Sequence, residues 1–315
     1  KLGIEQSATH IGQTNEAANP IEKNIFWRLI RLLCYNVHPI FVFDGPHRPW
    51  KRGRRGGNRV DYDRLRMLVK LLDTMRIPHH NAPGEAEAEC ARMQQAGIVD
   101  AVWSDDSDTL MFGATMLITD YREGKNKQAK KDEKLVRVYR MEEITRKHGL
   151  DQDSLLCFVI LAGGDYDTAG LPKCGPKTAL AVTRKAPGLG RVLRETRSER
   201  ELDDVRLQLT ETLRELRSSV FVPPTFPKWL ALKHYKAPTV SSAEQIEALR
   251  TRKTWGKAVD HTKLRQIMAD HFDFATKRYL LKIAPFLLVM KLGSTQPGEE
   301  HNNACCEVQL LKKRK

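Results

Sequence analysis

Two short apolar segments, each followed at once by acidic residues, constrain the fold of this chain more than any other feature. Residues 38–43 are apolar and rich in β-forming residues, and they stop at Asp44, which precedes Gly and Pro. Residues 98–103 form a second such segment, which ends at a serine followed by Asp105 and Asp106. Short apolar runs bounded by turn residues are typical of buried strands. Because stretches with helical periodicity lie between and after them, the order predicts an α/β fold with a mostly parallel sheet.

Apolar residues at helical spacing predict most of the helices. The stretches concerned are residues 21–36, 61–76 and 86–95, two helices after a strand at 135–139, and a charged helical stretch at about 190–220. Gly149 separates the two helices after the strand, and Asp151 or Asp153 is the predicted cap of the second one. The aromatic-rich residues 228–292 are expected to form a helical cap or second layer.

The charge balance indicates a polyanionic partner. The 315 residues include 53 Lys and Arg against 39 Asp and Glu, a formal net charge of +14, which places nucleic acid ahead of an anionic membrane surface. No uninterrupted apolar run approaches the roughly 18 residues of a membrane span. The six cysteines show no CxxC pair and no matching histidine spacing. That pattern argues against a zinc site and for free thiols in a reducing compartment.

Four short acidic groups lie at the ends of predicted elements. They are Asp44, the pair Glu85 and Glu87, the pair Asp106 and Asp108, and Asp165. In open parallel sheets ligands bind beyond the carboxyl ends of strands, so these groups can converge. Converging carboxylates repel one another, and divalent cations are the usual compensation. Oxygen ligands favour Mg²⁺ or Mn²⁺ over zinc, and two such ions about 4 Å apart can activate a water for attack on a phosphodiester.

Each acidic group also has an ordinary structural explanation. Asp44 can simply hydrogen-bond its own turn. Glu85 and Glu87 can complement the dipole at a helix start, and on an ideal helix they would point about 200° apart. Glu89 and Asp105 are expected to be structural or solvated. The metal-site hypothesis therefore rests on four groups in this order, each beside a glycine or a strand end.

Four sequence blocks carry a family resemblance. FVFDG, APGEAEAEC, SDDSDTLMFG and LAGGDYD…GLPKCGPKTA resemble, in order and spacing, the signature blocks of the flap endonuclease/XPG structure-specific nucleases over about residues 20–185. GGDY with APGEAEAEC, and the FP, Trp and KIAP features further on, are most similar to the Holliday-junction resolvase branch of the GEN/Yen type, particularly in fungi. The resemblance implies a PIN-like nuclease core, two Mg²⁺ ions that Mn²⁺ can replace, and incision of branched DNA.

The resemblance also implies roles for individual residues. The metal-site carboxylates are Asp44, Glu85, Glu87, Asp106, Asp108 and Asp165, and Lys51 falls where the family places a basic residue near the scissile phosphate. The family's first catalytic Asp lies on a strand ahead of this region, and no convincing counterpart is present. Since the chain begins at Lys1, we expect that an N-terminal segment is missing from this sequence. If that Asp is truly absent, the alternative is a catalytically silent protein that binds branched DNA.

Two basic regions are predicted to contact DNA. The first follows the Asp44 turn and includes Lys51, Arg52, Arg54 and Arg55. The second, with Lys173, Gly175 and Lys177, resembles the family's helix–two-turn–helix hairpin, whose turn offers N–H groups to a phosphate and which often holds K⁺ in family members. Lys173 occupies a position that is usually Gly, which puts the K⁺ site in doubt. The alternatives are a solvated basic loop and an ordinary helix connection.

These observations predict four regions and one activity. The regions are a PIN-like nuclease core at 1–140, the helix–two-turn–helix with following helices at 141–220, a helical and aromatic region at 221–292, and a basic tail at 293–315 in which a chromodomain could begin. The predicted protein is a nuclear, Mg²⁺-dependent endonuclease. It resolves four-way junctions by paired symmetric incision, as a monomer when free and a homodimer on the junction. A 5′-flap endonuclease is the alternative within the same class.

Overall fold

The computed structural model describes residues 20–49, 62–120, 135–251, 259–274 and 276–294. Its strands are β1 (Phe41–Phe43), β2 (His79–Asn81), β3 (Val102–Trp103), β4 (Met116–Asp120) and β5 (Val136–Arg140). Its α-helices are α1 (Pro20–Cys34), α2 (Tyr62–Thr74), α3 (Ala86–Gln95), α4 (Asp108–Met111), α5 (Met141–His148), α6 (Gln152–Ala162), α7 (Pro176–Lys185), α8 (Leu189–Glu195), α9 (Leu202–Glu215), α10 (Trp229–Lys236), α11 (Ala243–Thr251), α12 (His261–Phe272) and α13 (Thr276–Ser294).

The described strands form two short sheets. β1 pairs in parallel with β2, with Phe41 opposite His79. β3 pairs in parallel with β4, and β4 pairs antiparallel with β5. The α/β class and the prevalence of parallel pairing are confirmed, while the single sheet expected from the sequence is divided in the described part of the chain. The order of strands along a sequence does not by itself determine which strands become neighbours.

Several predicted boundaries hold and others shift. The helix at 86–95 is found as predicted, and Gly149, with φ 69°, ends α5 in the left-handed conformation. Asp151 caps α6 by accepting a hydrogen bond of 2.8 Å from the Ser154 N–H. β1 is shorter than predicted, and its three residues are half-buried rather than buried. The short elements β2 and α4 were not predicted, because β2 is polar and α4 spans only four residues.

One compact unit comprises, among the described residues, 41–49, 79–120 and 135–251. Its core is built around α6, whose buried side chains occupy nearly the whole helix surface. Because a helix that is apolar all round must be enclosed, α6 packs against α8, α7, α4 and α10. All six predicted carboxylates belong to this unit.

The second unit comprises the described residues 20–40, 62–78, 259–274 and 276–294. Phe26 and Phe272 are fully buried, with ring centroids 6.3 Å apart, and Phe286 is also fully buried. These aromatic residues form part of the core of this unit. Each unit combines stretches that are distant in sequence, whereas the four regions predicted from the sequence are continuous. The boundaries of those four regions stay predictions.

The described helices include none that is both long enough and apolar enough to cross a membrane.

Gly45 lies in a close approach between two backbone segments. Its N–H donates to the Gly84 carbonyl at 2.7 Å, and the His47 N–H donates to the Pro83 carbonyl at 3.1 Å. A Cβ atom at position 45 would lie 1.8 Å from the Ala82 carbonyl oxygen. The turn after β1 therefore requires glycine because no space exists for a side chain.

We expect the Gly45→Ala substitution to lower the free energy of unfolding by about 1–3 kcal/mol, because the methyl group forces backbone atoms apart. Urea denaturation measures the change. Gly188→Ala is the matched control, since a Cβ at position 188 meets nothing within 4 Å and its φ of −73° suits alanine. Equal stability of the two variants would contradict the close approach.

Candidate active site

The four acidic groups lie at or beside the ends of described elements, as the sequence predicted. Asp44 directly follows β1, and Asp106 and Asp108 follow β3, with Asp108 as the first residue of α4. Glu85 is the N-cap residue of α3, and Glu87 lies in its first turn. Asp165 follows α6 after Gly163, whose φ is 90°. All six carboxylates thus lie at the ends of elements or in the turns beside them.

The start of α3 resolves the angular problem of Glu85 and Glu87. Glu85 is extended, with φ −81° and ψ 137°, so the angle between two residues of a helix does not apply to this pair. Its side chain makes no capping hydrogen bond. Asp44 Oδ1 instead accepts a hydrogen bond of 3.0 Å from the Ala86 N–H. The carboxylate after β1 therefore lies at the N-terminus of the helix that carries Glu87.

Electrostatics shows that carboxylates from three segments act on one another. Burial raises the pKa of Glu87, and the negative charges of Asp44 and Asp106 raise it further, although a backbone hydrogen bond opposes the shift. Burial also raises the pKa of the Cys90 thiol to about 12, with contributions from Glu87 and Asp44. The N-terminal end of α3 is thus a region of concentrated negative charge.

The turn after β3 is ordered by its own side chains. The Asp106 N–H donates to Ser104 Oγ at 3.1 Å, and the Asp108 N–H donates to Asp106 Oδ1 at 2.9 Å. The Thr109 hydroxyl donates to the Asp106 carbonyl at 3.0 Å. Asp108 is 9% exposed, and carboxylates are seldom buried to this extent. The hydrogen bonds of the turn thus hold the Asp106 carboxylate beside the first residue of α4.

Two tyrosines reach this acidic region, and the sequence analysis did not identify them as site residues. The Tyr166 hydroxyl donates to Glu85 Oε2, and the Tyr235 hydroxyl lies 3.4 Å from Asp108 Oδ2. Tyr166 stands between Asp165 and Asp167 in the GGDYD block, which was the available signal. Tyr235 lies in the aromatic-rich stretch that was expected to form a helical cap or second layer, and nothing in the sequence near it signals the contact.

The donor chemistry of the region fits a divalent metal. The candidate ligands are carboxylate oxygens, which Mg²⁺ and Mn²⁺ prefer, and Asp44 lies at the start of the helix that carries Glu87. No group of three or more His, Cys, Asp or Glu within the described residues is arranged closely enough to hold a metal ion. The residues fit such ions by type and charge, and their assignment as ligands stays a prediction.

Glu89, one turn after Glu85, has a structural role. It is fully buried, accepts 2.9 Å from the Ser241 N–H, and lies 2.8 Å from His80 Nε2. Burial alone would raise the pKa of Glu89, but hydrogen bonds from His80 and Ser241 outweigh it and lower the pKa below the ordinary value. This carboxylate joins β2, α3 and the segment before α11, in agreement with the expected structural role.

The predicted DNA-binding turn precedes α7. Gly175 is the N-cap of that helix, and Pro176 occupies its first turn as predicted. Lys173 has φ 63°, so this lysine adopts the left-handed conformation that glycine favours. Lys173 and Lys177 are both exposed. The turn therefore presents two ammonium groups near the N-terminus of a helix.

Lys51, Arg52, Arg54 and Arg55 lie outside the described residues, as does most of the basic tail. Arg48, at the start of that basic stretch, is described and forms a 3.3 Å ion pair with Asp44. A cation therefore lies beside the carboxylate that follows β1.

Comparison with known proteins agrees with this geometry. A family model described as the XPG I-region matches residues 76–165, the stretch from β2 to the GGDYD turn. The chain is 30% identical over 227 residues to Flap endonuclease GEN homolog 1 of Homo sapiens, covering 66% of this chain and 24% of that protein. The chain spans 17%, 66% and 56% of the lengths of the first three curated relatives it matches.

Solved structures give longer matches. A crystal structure of the Holliday junction-resolving enzyme GEN1 with product DNA and a Mg²⁺ ion has a TM-score of 0.72 and 30% identity, over 91% of this chain and 68% of that chain. The junction-resolving enzyme GEN-1 with potassium has a TM-score of 0.72 and 31% identity, over 90% and 68%. The catalytic core of Rad2 with a DNA substrate has a TM-score of 0.65 and 26% identity, over 90% and 89%.

Proposed function

Since the chain belongs to the flap endonuclease/XPG family of structure-specific nucleases, we propose that the protein is a Mg²⁺-dependent endonuclease that cuts branched DNA. The single observation that carries the proposal is the position of Asp44, which follows β1 and accepts a 3.0 Å hydrogen bond from the Ala86 N–H, between Glu85 and Glu87. Clustered carboxylates of this kind in a chain of net charge +14 suit a metal centre that acts on a polyanion.

The residues proposed to hold the metal ions are Asp44, Glu85, Glu87, Asp106, Asp108 and Asp165. Two Mg²⁺ ions, or Mn²⁺ in their place, supply a nucleophile from water at neutral pH and stabilise charge on the phosphodiester. The protein's own part is to fix these side chains. Asp44 and Asp106 accept backbone N–H hydrogen bonds, so these two carboxylates are oriented by main-chain groups.

The turn before α7 is proposed to bind the DNA backbone. The N-terminus of a helix attracts phosphate through its N–H groups and its dipole, and Lys177 adds a charge in the first turn. K⁺ at the turn is part of the proposal, because Lys173 keeps the left-handed conformation that a glycine would have there. Lys51, Arg52, Arg54 and Arg55 are proposed as further phosphate contacts.

Within the family, four-way junctions are the proposed substrate. The junction-resolving GEN1 structure matches with a TM-score of 0.72, against 0.65 for the Rad2 core. Cleavage of 5′-flaps is the second candidate, since curated relatives include flap endonucleases. Relatives named as DNA repair proteins support a role in DNA repair and a nuclear location.

The first test removes one carboxylate charge. Asp106→Asn keeps the oxygen that accepts the Asp108 N–H but removes the negative charge. We expect cleavage of a junction to fall at least about 1,000-fold, which corresponds to about 4 kcal/mol of transition-state stabilisation. Affinity for the junction in EDTA stays within a few fold, because phosphate contacts lie elsewhere. Single-turnover cleavage and a binding titration measure both.

The matched control is Asp105→Asn, which changes an exposed neighbour and is expected to keep cleavage unchanged. Cleavage that persists in EDTA, or in the Asp106→Asn protein, would reject metal-dependent hydrolysis at this site.

Binding of the DNA backbone predicts a steep salt dependence. Each neutralised phosphate contributes about −0.9 to the slope of log affinity against log salt on duplex DNA. We expect Lys177→Ala to reduce the slope by about one unit and to weaken different junctions alike. Lys147→Ala is the control, because that ammonium is already paired with Glu143 at 2.8 Å. An unchanged slope in Lys177→Ala would show that the residue makes no phosphate contact.

The number of chains on a substrate separates the two candidate activities. A four-way junction has two equivalent cutting positions related by an approximate two-fold axis, so paired incision requires two active sites. We expect a monomer in free solution, since chains of net charge +14 repel each other, two chains on a junction, and one chain on a 5′-flap. Light scattering of the Asp106→Asn protein with each DNA measures this.

One chain per junction at saturating protein, or nicks confined to one strand of the junction, would overturn resolution as the activity. The same result would favour the flap endonuclease.

A further inference from the structure

Two tyrosine hydroxyl groups connect the segments that carry the proposed metal ligands. The Tyr166 hydroxyl donates to Glu85, at the start of α3. The Tyr235 hydroxyl lies 3.4 Å from Asp108 Oδ2, and Tyr166 directly follows Asp165. The two rings pack edge to face with centroids 4.6 Å apart. Three ligand-bearing segments therefore meet at one pair of side chains.

The turn at Gly164 is built to admit the Tyr235 hydroxyl. A Cβ atom at position 164 would lie 2.4 Å from that hydroxyl oxygen. Because position 164 is glycine, no Cβ atom prevents the turn beside Asp165 from approaching the Tyr235 hydroxyl. Such close approach is a positional requirement for glycine that does not depend on φ.

The helix that carries Tyr235 is itself fixed to the same unit. Lys228, just before α10, forms a 2.5 Å ion pair with Asp167, and Lys236 at its end donates to the Thr196 carbonyl. Ala231 and Leu232 are buried in the core. Because α10 is held at both ends, the Tyr235 hydroxyl stays in place. It can therefore restrain the carboxylate to which it is hydrogen-bonded.

We propose that Tyr166 and Tyr235 are positioning residues of the metal site, which orient Glu85 and Asp108 through their hydroxyl groups. The inference rests on the proposed function, because it assigns these two tyrosines to the support of metal ligands. Partners that hydrogen-bond to metal ligands typically contribute a factor of about 10–100 in metal affinity or activity. Tyr166 carries the larger effect, since the 3.4 Å distance of Tyr235 from Asp108 is long for a hydroxyl donor.

The test removes each hydroxyl and leaves the ring. In the full chain, we expect Tyr166→Phe to weaken Mn²⁺ binding about 10–100-fold, and Tyr235→Phe by a factor near the lower end of that range. Isothermal titration calorimetry with Mn²⁺ alone measures this without any cleavage. Tyr35→Phe is the matched control, because Tyr35 is 76% exposed, and it is expected to bind Mn²⁺ like the parent.

Two further readouts separate positioning from general support of the fold. The Mg²⁺ concentration for half-maximal cleavage rises by the same factor as the Mn²⁺ dissociation constant, while junction affinity in EDTA is unchanged. A merely structural role lowers the melting temperature and leaves metal affinity as it was, which would overturn the inference. Parent protein that binds no Mn²⁺ would overturn the proposed function itself, whereas parent-like binding in both tyrosine variants would overturn only the positioning role.

Discussion

The placement of carboxylates at the ends of short elements is the constraint on which this structure depends. Burial is the largest cause of the raised pKa of Glu87, and the charges of Asp44 and Asp106, from two other segments, add to it. Negative charges in a half-buried region are costly unless donors meet them. The chain provides those donors from its own backbone at Ala86 and Asp108. The carboxylates therefore lie at helix starts and tight turns, because these are the positions where the backbone offers N–H groups that are not used inside a helix.

The same constraint explains why the segment after the irregular stretch at 216–228 belongs to the site. Lys228 pairs with Asp167, Tyr235 contacts Asp108, and Ser241 donates to Glu89. Each contact supplies a proton donor to an acidic side chain of the nuclease core. A buried carboxylate such as Glu89 is retained only where every acceptor is met. The sequence predicted that this segment forms a cap or second layer. It also completes the hydrogen bonding of acidic side chains in the nuclease core.

The sequence predicted the features that depend on local pattern. The helix at 86–95, the Gly149 break and the Asp151 cap follow from periodicity and capping chemistry. The acidic groups were identified from their positions beside a glycine or a strand end. The polar strand β2 was missed because its pairing with β1 is a long-range event with no local signal. Tyr235 was missed for the same reason, since its contact with Asp108 joins residues 127 positions apart. Both features depend on contacts between residues far apart in the sequence, and such contacts leave no local pattern from which they could be predicted.

Glycine is used in this chain for two separable reasons, and Lys173 shows the difference between them. At Gly163 and Gly170, φ is 90° and 53°, and a Cβ would also lie within 2.7 Å of backbone oxygen atoms. Neither position can accept a side chain. Lys173 has a similar φ of 63° but is exposed, so only the conformational cost of about 1–2 kcal/mol remains. A charged residue is tolerable there because space is available, and it places an ammonium group at the turn proposed to face phosphate. The backbone of this turn requires a positive φ at position 173. A lysine there supplies a positive charge but lowers the local stability relative to glycine.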